Sequence, residues 1–445
     1  MLQSFDLVIR GGSVATPGGV VAADVGVTAG RIAAIGALTA HPAAETLDAS
    51  GLHVLPGVID SQVHFREPGL EHKEDLASGS EAAVLGGVTT VFEMPNTQPA
   101  TTDAAALADK LRRAEGRMHC DHAFYVGATA ANIGDLASLE RLPGSAGIKI
   151  FMGSSTGSLL VEDDGALADV LRSGQRRVAV HAEHEPRLRE RKALAEASGQ
   201  AEFHPTWRDV ETAVTATTRL LRAAGTTGRR VHVLHVTTAE EIELLAAARD
   251  IATVEVTPHH LTLEAPDCYR RLGTRAQMNP PVRDGRHKAA LWQAIADGVV
   301  DVLGSDHAPH TLEEKSKPYP ASPSGMTGVQ TLLPLMLDHV AQGRLTLERL
   351  VDLTAHGPQR IFQLAGKGRI MRGYDADLVL VDLGARWRID RSWLRSRAGW
   401  SPYEDVEVTG RPVATLLRGQ VVARDGALVG EPLGKPARFA ETLLT

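Results

Sequence analysis

Six side chains in this sequence could do chemistry together: His64, Arg66, Lys149, His181, His235 and Asp306. Each lies in, or just after, an apolar run that reads as a β-strand. His64 and Arg66 belong to Asp60-Ser61-Gln62-Val63-His64-Phe65-Arg66-Glu67-Pro68-Gly69, where the run 54–59 gives way to a Pro-Gly turn. Lys149 lies inside Gly147-Ile148-Lys149-Ile150-Phe151-Met152. His181-Ala182-Glu183, His235-Val236-Thr237 and Ser305-Asp306-His307-Ala308-Pro309-His310 close three further runs. Imidazole and carboxylate donors gathered at one end of a barrel suit zinc or a similar divalent ion. Taken singly, His181 and His235 read as hydrogen-bonded core histidines. With His64 and Asp306 at the same end they read as ligands. His259, His260, Glu183, His184, Glu185 and His232 read as supporting or surface groups. Lys149 has two readings, because an ammonium is costly to bury in an apolar strand. It either snorkels to water or reacts with CO₂ as the neutral amine that burial favours, becoming a carbamate able to bridge two metals.

Those positions require a scaffold that aligns strand ends. Eight strand-like runs, at 54–59, 89–94, 123–126, 147–152, 178–181, 231–236, 253–257 and 299–304, alternate with segments of helical period such as 103–115, 210–224 and 239–247. That alternation predicts an α/β fold, a (β/α)₈ TIM-like barrel with its chemistry at the C-terminal strand ends. A doubly wound open sheet is the runner-up, and no GxGxxG follows a strand to support it. Strand-rich, glycine-punctuated stretches flank the barrel and read as two parts of one small β-sandwich. The expected division is therefore 1–55 (sandwich), 56–365 (barrel) and 366–445 (sandwich and tail). The Pro-, Ser- and Gly-containing segment 311–328 reads as a long functional loop.

With 445 residues, 43% hydrophobic content and a formal charge of −7, the chain is a soluble globular protein. Mild acidity argues against a nucleic-acid partner. No signal peptide or long uncharged apolar run is visible, so no membrane role is expected. Cys120 and Cys268 are far apart and form no CxxC, which fits a reducing cytoplasm and offers no thiolate site.

The motifs HFREPG, EMPNT, GIKIFM, VHAEHE, LHVTT, EVTPHHL, QMNPPVR and SDHAPH occur in an order that resembles the long, bacterial-type dihydroorotases of the amidohydrolase superfamily. Allantoinases and dihydropyrimidinases share most of these motifs. The resemblance implies reversible hydrolysis of (S)-dihydroorotate to N-carbamoyl-L-aspartate in pyrimidine biosynthesis. It implies one or two Zn²⁺ per chain. His64, Asp306 and carbamylated Lys149 would hold a buried ion, and Lys149, His181 and His235 a second. Asp306 would be the catalytic base and then acid. Arg66 would grip the substrate carboxylate in a bidentate pair, which allantoin and dihydropyrimidines lack. Asn96 and His310 resemble further carboxylate contacts, while Asn279 and the backbone around Pro323-Ser324-Gly325 resemble contacts to the ring amide. A homo-oligomer is expected by family analogy.

One position departs from the family pattern. Where dihydroorotases carry HxH, this chain has Gln62-Val63-His64. Residues two apart on a strand point the same way, so Gln62 keeps the geometry but offers an amide oxygen, a poor zinc donor. Three outcomes follow: both ions bound, one ion bound with activity kept, or a weak homologue serving as partner subunit to an enzyme such as aspartate transcarbamoylase.

Overall fold

The computed structural model describes residues 4–154 and 159–442. Eight parallel strands form the barrel: β1 (Val58–Val63), β2 (Val88–Glu93), β3 (Asp121–Gly127), β4 (Ser145–Phe151), β5 (Val178–His181), β6 (Val231–Val233), β7 (Ala252–Val256) and β8 (Val302–Leu303). They pair in sequence order. β8 approaches β1 without a full ladder. The gap is spanned by a Val63–His307 bridge, by His64 N–H donating to His307 O at 2.7 Å, and by Ser305 N–H donating to the Asp60 carboxylate at 3.0 Å. Every residue of β1 to β8 is buried. Such strands read as continuous apolar runs rather than alternating ones.

Connecting helices begin at polar caps that satisfy their first free N–H groups. Asp103 caps Ala104–Ala114 and Asp209 caps Val210–Thr227. Thr238 and Glu241 form a reciprocal capping box on Ala239–Ala246. The segment 311–328 is not all loop, because Thr311 and Glu314 cap a short helix, Leu312–Lys315.

The chain ends meet in one nine-stranded sheet. Phe5–Thr16 pairs with Gly19–Thr28, Ala43–Asp48 and His53–Pro56, and His53–Pro56 pairs in turn with Leu378–Arg388. Leu7, Ile9, Val14, Ile32, Leu378, Leu380 and Leu416 share its core. The run 54–59 is therefore two strands. Its first half serves this sheet and its second half opens the barrel. The break falls at Gly57, where a Cβ would stand 2.2 Å from Thr89 Oγ1. The tail then crosses the barrel floor, where Phe439 joins Phe92 and Phe362. No helix among the described residues is long and apolar enough to cross a membrane.

Candidate active site

The barrel brings the sequence-derived residues together at its C-terminal mouth. Gln62, His64, Arg66, Lys149, His181, His235 and Asp306 are all buried, none more than 7% exposed. Three of them hold left-handed backbone, with φ of +67° at Arg66, +39° at His235 and +48° at Asp306. Non-glycine residues adopt this conformation at a cost of about 1–3 kcal/mol each, and such strain clusters at functional sites. At His235 it also ends β6 at Val233, three residues short of the predicted run.

The imidazoles are oriented by what they touch. His64 Nδ1 lies 2.8 Å from Asn96 Oδ1, and its Nε2 is 3.3 Å from Asp306 Oδ1. Since Asn96 Oδ1 can accept but not donate, the His64 proton sits on Nδ1 and the bare nitrogen faces Asp306. His181 Nε2 lies 2.9 Å from Glu183 Oε2, and its Nδ1 is 3.0 Å from His235 Nε2. Glu183 thus accepts a hydrogen bond from Nε2–H, which leaves a bare Nδ1 facing His235. Burial would raise Glu183, but the Arg208 guanidinium against it, with His181, holds it down at about 2. A carboxylate behind a histidine is the usual arrangement for fixing a metal-ligating ring. His235 Nδ1 is buried without a hydrogen-bond partner.

Lys149 is 1% exposed, with Nζ 4.5 Å from the Phe151 ring centroid. Burial pushes it down to about 7 against the opposing charges of Asp306 and Glu255. Buried carboxyls lie nearby in the barrel interior. Burial raises Glu255 to about 8 and Asp60 to about 7, and Glu255 accepts a 2.8 Å hydrogen bond from Ser61 Oγ. Asp306 is raised by burial to about 6 and accepts from Gln62 Nε2 at 3.0 Å. Gln62 Oε1 is buried and unpartnered.

Among the described residues, no three His, Cys, Asp or Glu side chains stand close enough to hold an ion by themselves. The donors stand as two pairs, His64–Asp306 and His181–His235. With Lys149 as a carbamate, the second pair gains an anionic third donor. The first pair could share that carbamate, and beyond it has only the amide oxygen of Gln62 to add, a weaker donor than imidazole.

Arg66 sits beside these pairs. Its Nε donates to Pro309 O at 3.1 Å, its Nη2 lies 3.3 Å from His310 Nε2, and its Nη1 is buried without a partner. No carboxylate among the described residues pairs with it, and burial lowers it to about 10. Asn279 lines a neighbouring cavity of about 530 Å³ with Gln277, Ser324 and Arg208, and its Oδ1 is 3.0 Å from His204 Nε2. His259 and His260 are spent on supports. His259 Nδ1 bonds Tyr403 Oη at 2.9 Å, and His260 lies between Thr257 and Pro280 O. His232 contacts Glu255 and Thr253 below the mouth, and Glu185 accepts from Ser154 N. Sequence reasoning passed over Arg208 and Lys73, whose partners are distant in the chain and which carry no local motif.

The pattern of the Amidohydrolase family matches residues 53–422. A dihydroorotase of Methanosarcina mazei is 37% identical over 400 residues, covering 87% of each chain. An allantoinase of Deinococcus radiodurans is 36% identical over 448 residues, covering 98% of this chain and 99% of its own. The solved L-hydantoinase (dihydropyrimidinase) from Arthrobacter aurescens superposes with a TM-score of 0.92 at 32% identity, over 97% of this chain and 99% of that one. The chain belongs to the amidohydrolase family, in its cyclic-amide-hydrolysing branch.

Proposed function

We propose that this enzyme is a dihydroorotase, interconverting (S)-dihydroorotate and N-carbamoyl-L-aspartate. The observation that carries the reading is Arg66, a buried guanidinium at the site with an unpartnered Nη1 and no carboxylate among the described residues in an ion pair with it, the charges of Asp306, Glu93, Glu314 and Glu74 acting only from a distance. A buried cation needs an anion, and a ring carboxylate with two oxygens matches the fork. One divalent ion, held by His181, His235 and a carbamylated Lys149, would supply Lewis acidity toward the ring carbonyl and the attacking water. Glu183 and Arg208 keep His181 turned for that role. Lys149, depressed to about 7, has a substantial neutral fraction at neutral pH with which to take up CO₂. Asp306, raised to about 6, accepts the proton of the attacking water and returns it to the ring nitrogen as the C–N bond breaks. Gln62 steadies the carboxylate by donating to Oδ1. Purified protein supplied with Zn²⁺ and bicarbonate should turn over dihydroorotate and carbamoyl aspartate. Failure in both directions would remove this reading.

A second reading keeps the chemistry and changes the ring. Full-length similarity to an allantoinase and to an L-hydantoinase favours it. It predicts faster turnover of an uncharged ring than of dihydroorotate, unaffected by Arg66→Ala.

A further inference from the structure

We propose that Lys73 is a specificity-determining positioning residue. By donating to His310 it holds that imidazole as the Nε2–H tautomer, so that Arg66 finds no acceptor on the ring and keeps Nη1 and Nη2 free for a ring carboxylate. The inference rests on the dihydroorotate reading and assigns a role to a residue outside the motif-derived site.

Lys73 is 8% exposed. Its Nζ lies 3.1 Å from His310 Nδ1 and 3.1 Å from Glu314 Oε1. An ammonium has no lone pair, so the His310 nitrogen facing it must be bare. The ring proton then sits on Nε2, 3.0 Å from the Ser324 carbonyl oxygen that accepts it. The opposite tautomer would set Nδ1–H against the ammonium and a lone pair against Ser324 O. Its compensation would be Glu314 Oε2 at 3.6 Å, beyond hydrogen-bonding range. Burial and the charge of Arg66 hold His310 well below the ordinary histidine range, so the ring is neutral and carries one N–H.

This fixes what Arg66 meets. Its Nη2, 3.3 Å from His310 Nε2, faces an N–H rather than a lone pair and gains no acceptor there. Its Nη1 is also unpartnered. The corner therefore presents two guanidinium nitrogens without an acceptor, Nη1 and Nη2, beside an Nε2–H already held by Ser324 O. A carboxylate brings two oxygens and no proton, which suits that set. A neutral ring edge ending in C–H or N–H does not. Glu314 balances the charge of Lys73, so the lysine contributes the direction of a proton rather than net charge.

The test uses the metal-loaded enzyme and the variant Lys73→Met. Without the ammonium, His310 can turn its proton toward Glu314 and present a lone pair to Arg66. The KM for dihydroorotate should rise about tenfold or more with kcat within about twofold, as expected from losing one charge-directed contact. Turnover of dihydrouracil, a neutral ring, should not change, and Lys73→Arg should restore the KM. In ¹⁵N-histidine-labelled protein, His310 Nδ1 should resonate as a bare nitrogen in the wild type and as a protonated one in Lys73→Met. A wild type active on dihydroorotate whose Lys73→Met variant keeps the same KM would overturn the inference. So would a wild-type spectrum with His310 protonated at Nδ1, which needs neither a folded variant nor turnover. A wild type inactive on dihydroorotate would count against the functional reading, and the spectrum would still decide the tautomer.

Discussion

Replacing Arg66 by methionine should separate the cost of holding a buried cation from its use. In the free protein Arg66 donates Nε to Pro309 O, sets Nη2 3.3 Å from His310 Nε2, and leaves Nη1 unsatisfied. Losing the bond costs about 0.5–1.5 kcal/mol, while removing the unsatisfied donor relieves about 1–3 kcal/mol. Methionine would meet the same left-handed backbone that Arg66 already adopts, so that strain cancels. Arg66→Met should therefore unfold in urea with a stability between about 0.5 kcal/mol below and about 2.5 kcal/mol above the wild type. With dihydroorotate bound the sign reverses. Removing one partner of a buried ion pair costs about 3–5 kcal/mol, which is roughly two to four powers of ten in kcat/KM. Arg66→Lys keeps the charge without the fork and should recover part of the loss. The assay is kcat/KM on dihydroorotate and on dihydrouracil, beside a urea titration. Equal losses on both rings, or a clear drop in stability, would show Arg66 to be a structural bond and refute the carboxylate argument.

Other perturbations address the metal, the histidine supports and the loop. Gln62→His gives His64 and Asp306 a third strong donor, so metal content should rise from about one to about two ions per chain by elemental analysis. Unchanged content would mean that Gln62 is not what limits the buried position. Chelated protein should regain activity with Zn²⁺ plus bicarbonate but not with Zn²⁺ in CO₂-free buffer. Full recovery without bicarbonate would exclude a carbamate at Lys149. Arg208→Met leaves Glu183 without its cation, and Zn²⁺ affinity should fall about 10–100-fold, the range found when supporting partners of metal ligands are removed. Lys315 is buried, donates to Gln277 O and Pro323 O, and is depressed by burial to about 7. Because its folded pKa lies below its unfolded one, its charge penalises folding fully below about pH 7, and the penalty fades toward pH 10. Relative to Lys315→Met, the wild type should gain up to about 1.4 kcal/mol per pH unit across that window. Parallel stability curves for the two proteins would contradict this.

The barrel was legible because its strands are buried on both faces and so appear as uninterrupted apolar runs. The helices announced themselves through their 3.6-residue period, and the structure adds the Asp and Thr caps at 103, 209 and 238. Lys149 stood out because an ammonium does not belong in such a run. What the sequence concealed depends on partners far along the chain. The break at Gly57 follows from Thr89, which a side chain there would strike. The early end of β6 follows from the backbone that His235 adopts. Arg208 and Lys73 gain meaning from Glu183 and His310, 25 and 237 residues away. Asn96 matched a motif, yet its side-chain oxygen meets His64, a contact that motif matching did not distinguish from a substrate contact.

The pairing of His53–Pro56 with Leu378–Arg388 sets a timetable for biosynthesis. A ribosome adding roughly 5–20 residues per second needs about a quarter of a minute to a minute to deliver the second strand after the first. Throughout that interval the hairpin Phe5–Thr16 and Gly19–Thr28 can assemble, but one edge of its sheet waits for a partner not yet made. Unpaired strand edges invite pairing with other chains. Nascent chains arrested before residue 378 should therefore be chaperone-bound or aggregate, and release past residue 428 should abolish that. Arrested chains that stay monomeric without chaperone would show the waiting edge to be harmless. Any terminal truncation or fusion then acts on the final step of assembly rather than on a detachable appendage.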